Sequence, residues 1–73
     1  MEEMKQIEMV YRVLTKDGVH EYSGEEYSQN RAGFWERAKR SHAFCVEVLV
    51  DGQSMFVFGS RSFNGQIALH KGE

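Results

Sequence analysis

Residues 43–59 read AFCVEVLVDGQSMFVFG, two apolar, β-branched and aromatic runs on either side of Asp51-Gly52. Both central residues of a tight hairpin turn need φ > 0, which Asp and Gly tolerate, so this stretch predicts a β-hairpin. With a two-residue loop, Val50 faces Gln53 and the sides of the sheet alternate from there. One side then holds Phe44, Val46, Val48, Val50, Met55 and Val57. The other holds Cys45, Leu49, Phe56 and Phe58, with Glu47 and Ser54 among them. Both sides are substantially apolar, whereas a sheet with one wet face alternates more cleanly. A one-residue bulge would exchange the sides of one strand and still leave both faces apolar. A second layer must therefore cover one face, and something further meets the other.

A chain of 73 residues makes one domain with a thin margin of stability. The whole of 1–73 reads as that domain, with 1–5 and 71–73 as frayed ends. Hydrophobic residues make up 41% and charged residues 27%, which is a globular balance rather than a disordered one. The net charge of −2 argues against a broadly basic nucleic-acid binder. The opening MEEMKQIEMV is acidic and lacks a long apolar run, so neither a signal peptide nor a membrane span is expected there. The single cysteine, Cys45, cannot form an internal disulfide. It reads as a small buried apolar residue in a strand of a cytoplasmic protein.

Ahead of the main hairpin, Gln6 to Thr15 alternates as a strand, with Ile7, Met9, Tyr11 and Val13 on one side. Lys16-Asp17-Gly18 supplies a turn, and Val19 to Tyr22 a short return strand. The charges of this first hairpin suit a sheet edge. Ser23-Gly24-Glu25-Glu26 forms a capping box for a helix running from Gly24 or Glu25 to Arg40. Its buried stripe is Tyr27, Phe34, Trp35 and Ala38. Asn30 offers a competing cap, which would confine the helix to Arg31 to Arg40. After the hairpin, Asn64-Gly65 suggests a tight turn and Gln66 to His70 a fifth strand. The expected fold is α+β: a small single domain in the order β-β-α-β-β-β, one helix on a four- to five-stranded antiparallel sheet.

Few residues suggest chemistry. Arg31 falls in the helix's apolar stripe, which calls for a snorkelling stem with its head in water or paired to Glu21 or Glu47. Stacking on Trp35 is the alternative. Arg31, Arg37, Lys39, Arg40, His42 and Arg61 form the one basic concentration, with Trp35 among them. Basic side chains with an aromatic platform suit single-stranded nucleic acid. His42 and Cys45 are too few ligands for zinc, so no metal and no cofactor is expected. His42, Arg61 and His70 are residue types a small RNase uses, but their spacing selects no such site. Gly59, Arg61 and Gly65 lie in a loop that leads to no helix in this reading, and so make no phosphate cradle.

The expected function is therefore non-enzymatic: a protein-interaction module, acting as regulator, adaptor or inhibitor, of a size found among phage and mobile-element proteins. Its expected contact is an apolar sheet face made of Leu49, Phe56 and Phe58 around Glu47. The helix would cover the side with Phe44, Val46, Val48, Met55 and Val57. The expected partner is a second copy or another protein. The alternative is nucleic-acid binding at the basic end of the helix.

Overall fold

The computed structural model describes residues 7–72. The elements are β1 (Met9–Thr15), β2 (Gly18–Ser23), α1 (Gly24–Gln29), α2 (Arg31–Arg40), β3 (Cys45–Val50), β4 (Gln53–Gly59) and α3 (Phe63–His70). A single 3₁₀ turn, Ser60–Ser62, leads into α3. The four strands form one antiparallel sheet in the order β2-β1-β3-β4, with helices packed against it. Each half is a hairpin followed by helix, and the halves meet where β1 runs against β3. The suggested fraying of 1–5 and the start of the first strand at Gln6 lie outside the described residues.

The second hairpin turns where expected. Asp51 and Gly52 both have positive φ, 51° and 81°, and Val50 faces Gln53 across a two-residue loop. The turn is tied to the first strand's approach. Asp51 Oδ1 accepts from the Glu8 amide at 3.0 Å, and the Asp51 amide donates to the Glu8 carbonyl at 2.7 Å.

Beyond the turn the register slips. Leu49 faces Ser54 but Val48 faces Phe56, leaving Met55 as the extra residue of a bulge. This exchanges the sides of β4 relative to the expectation. Phe56 and Phe58 lie with Val48 and Val46 toward the helices, while Val57 lies with Glu47 on the far side. The assignment of β3 stands; the grouping of Leu49, Phe56 and Phe58 on one face does not. The bulge is the one-residue irregularity that exchanges a strand's sides, and both sides of β4 are apolar enough to accept either register.

The expected single helix is two. Ser23 Oγ accepts from the Glu26 amide at 3.0 Å, and Glu26 Oε1 accepts from the Ser23 amide at 2.8 Å, completing the capping box that starts α1. At Asn30 the backbone leaves the helical region (φ −157°, ψ 81°), and its side chain caps α2 by accepting from the Gly33 amide at 2.9 Å. The two competing start signals are thus both used. Gly33 is what admits the second: a Cβ there would come within 2.7 Å of the Asn30 Cγ.

This makes a coupling measurable. Gly33→Ala gains about 1 kcal/mol of helix propensity but unseats a cap worth about 1 kcal/mol, so its net effect on unfolding free energy is close to zero. In an Asn30→Ala background the clash is gone, and the same substitution stabilises by about 1 kcal/mol. Equal effects in both backgrounds, measured by urea unfolding, would show that Gly33 and the cap are independent.

The expected fifth strand is the helix α3. Asn64 and Gly65 lie in its first turn, and Phe63 and Ile67, four residues apart, reach the core. The core is an aromatic stack between sheet and helices. Tyr11 of β1 lies flat on Tyr27 of α1, with centroids 3.9 Å apart and planes 12° from parallel. Phe34 meets both rings edge-on. Trp35, 1% exposed, touches Phe58 of β4 and Phe63 of α3. Trp35 Nε1 donates to the Tyr27 hydroxyl at 3.1 Å, which lies 3.3 Å from His70 Nε2. One polar chain thus joins all three helices. Burial pushes the Tyr11 hydroxyl above its ordinary pKa; Tyr27 adds to the rise, and the Arg31 charge opposes it.

Candidate docking edge

The sheet ends in two unlike edges. β2 carries His20 and Glu21. β4, QSMFVFG, carries no charge, and none occurs between Asp51 and Arg61. Charged residues protect an edge strand from pairing with another chain, and β4 has none of that protection. Its middle is also where exposed apolar surface concentrates: Met55, Phe56 and Val57 are 54%, 56% and 64% exposed. They are consecutive, so both faces of the edge are apolar.

Beside the strand, on the helix side, lies an apolar notch of about 200 Å³. Tyr11, Tyr27, Trp35, Val48, Phe56 and Phe58 line it. Phe56 stands at this notch with its ring 6.4 Å from that of Phe58 and nearly parallel to it. The bulge at Met55 produces this arrangement, because without it Phe56 would point away from the helices.

The expected interface residues separate. Phe58 packs on Trp35 and belongs to the core surroundings. Leu49 is buried on the far side, opposite Val10 and Ser54 in its neighbouring strands. Glu47 takes part in a charged row: Arg12 lies 2.7 Å from Glu21 and 3.7 Å from Glu47. Those two carboxylates thus face Arg12 rather than the expected Arg31. Only Phe56 remains an exposed apolar contact. Met55 and Val57 join it, and their side-by-side exposure followed from the bulge, which no motif announces.

The basic residues are dispersed. Trp35 is buried and offers no ring to a base, contrary to the nucleic-acid expectation. Arg31 is half-buried near Tyr11. Arg37 lies over the Tyr22 ring, 5.7 Å from its centroid, toward β2. Arg61 is exposed in the 3₁₀ turn. Lys39, Arg40 and His42 line an open groove between α2 and α3, joined there by Lys71 and facing Glu36. His70 is engaged with Tyr27. Among the described residues no three His, Cys, Asp or Glu side chains gather as metal ligands, and no helix is long and apolar enough to cross a membrane. No protein-family model, curated protein or solved structure matches the chain.

Proposed function

We propose that this domain is a protein-binding module, that β4 is its docking edge, and that the partner it accommodates is a second copy of the chain. The observation that carries this is the uncharged edge strand with Met55, Phe56 and Val57 exposed beside an apolar notch. Strand addition supplies main-chain hydrogen bonds, and side chains on alternate positions supply fit.

β4 is complementary to itself. An antiparallel pairing centred on Phe56 sets Met55 against Val57 of the partner subunit and brings the two Phe56 rings together on the helix side, beside the notch. Opposed apolar pairs each contribute roughly 0.2–1 kcal/mol, and no like charges meet. The contact is isologous, so it closes at two chains. A contact confined to one strand edge calls for roughly micromolar association. The same edge serves a regulator, adaptor or inhibitor that adds its strand to another protein's sheet. Cys45 stays a thiol under this reading, in a reducing cytoplasmic setting.

Val57→Lys tests the proposal without endangering the fold. The side chain is largely exposed, and its cross-strand neighbour is Glu47, which accommodates a cation. Sedimentation equilibrium should give a concentration-dependent dimer for wild type and a folded monomer for Val57→Lys. A wild type that stays monomeric at millimolar concentration, or a variant that dimerises as well as wild type, would remove the second copy as partner.

A further inference from the structure

The groove between α2 and α3 adjoins a second hollow, and Lys39 and His42 line both. The first hollow, of about 700 Å³, holds Lys39, Arg40 and Lys71 against one carboxylate among the described residues, Glu36. The second, of about 380 Å³, is bordered by Phe44 and Ser60. Phe44 is 63% exposed, and its backbone is secured by its amide donating to the Leu14 carbonyl at 2.8 Å. Cations and an uncovered aromatic ring thus border a depression made of two adjoining hollows. Among the described residues this lining is net positive, within a chain whose overall charge is −2.

The junction residue has an unusual backbone. His42 has φ 56°, the left-handed region that Gly enters more cheaply. It occupies the turn after α2, where its amide donates to the Lys39 carbonyl at 3.1 Å. That turn carries the chain from the basic end of α2 directly to Phe44.

We propose that this depression binds single-stranded nucleic acid, with phosphates on Lys39, Arg40 and Lys71 and a base stacked on Phe44. The aromatic ring selects the ligand class. A cationic groove alone accepts any polyanion, whereas a base offers Phe44 a flat face that an acidic peptide lacks, and a paired duplex keeps its bases inside the stack. The site does not involve β4 and stands apart from the docking proposal.

Fluorescence anisotropy of a short labelled oligothymidylate with the full chain tests it, beside the matching duplex and polyglutamate as competitors. At low salt the single strand should bind and outcompete both. The logarithm of affinity should fall against the logarithm of salt with a slope of about −2, as expected for three phosphate contacts on a single strand. Phe44→Ala should weaken binding about tenfold with an unchanged melting curve, and Lys39→Glu with Arg40→Glu should abolish it. No anisotropy change with wild type at tens of micromolar overturns the proposal. So does equal competition by polyglutamate, or a Phe44→Ala variant that binds like wild type.

Discussion

Trp35→Ala should cost about 3–5 kcal/mol of unfolding free energy, the range for emptying a large aromatic site in a core. The indole is in ring contact with Tyr27, Phe34, Phe58 and Phe63, from α1, α2, β4 and α3. These belong to separate parts of the chain, so the cavity cannot be closed by the shift of one element. A domain of this length has roughly 4–11 kcal/mol in total. The variant should therefore melt lower by roughly 12–40 °C, taking the usual shift per kcal/mol for domains of this size. Circular dichroism during heating reads this directly. A loss below about 1 kcal/mol would mean that the indole is not the packing centre of the core.

The second large effect concerns the polar chain through that core. Tyr27→Phe deletes the hydroxyl that accepts from Trp35 Nε1. The indole N–H is then buried without a partner, at a cost of about 1–3 kcal/mol. His70 is only half-buried, so water can replace its lost contact. Because the penalty arises from the stranded indole donor, it should largely vanish in a Trp35→Phe background, where no donor remains. A double-mutant cycle in urea measures this. Equal costs of Tyr27→Phe in both backgrounds would assign the loss to the hydroxyl's other contact, at His70, instead.

What was legible in the sequence, and what was not, follows from how local each signal is. Asp51-Gly52 and the Ser23/Glu26 box are complete within a few residues, and both form as expected. Asn30 is equally local, but whether it breaks the helix depends on the space that Gly33 leaves for its side chain. α3 was missed because Asn64-Gly65 has turn chemistry and Ile67 and Leu69 alternate. The pair Phe63 and Ile67, at helical spacing, was the available counter-signal. Trp35 falls in the predicted stripe, and its burial there removes it from any surface role.

The bulge at Met55 has no comparable signal. With apolar residues on both sides of β4, a slip of one position leaves a pattern just as acceptable, and the observed register is the one that seats Phe58 against Trp35. That slip moves the candidate contact from the sheet's far face to its edge. The basic groove was half visible. Lys39, Arg40 and His42 were recognised, but Lys71 arrives through α3, and Phe44 in place of Trp35 depends on which ring the core consumes.

The most direct measurement of the docking edge is amide hydrogen exchange along β4 as protein concentration is raised. Antiparallel pairing of two β4 strands should slow exchange within 53–59 as the dimer fills, while amides of β2, the other edge, keep their rates. Exchange in β4 that is independent of concentration, or slowing confined to other elements, would contradict the assignment of β4 as the docking edge.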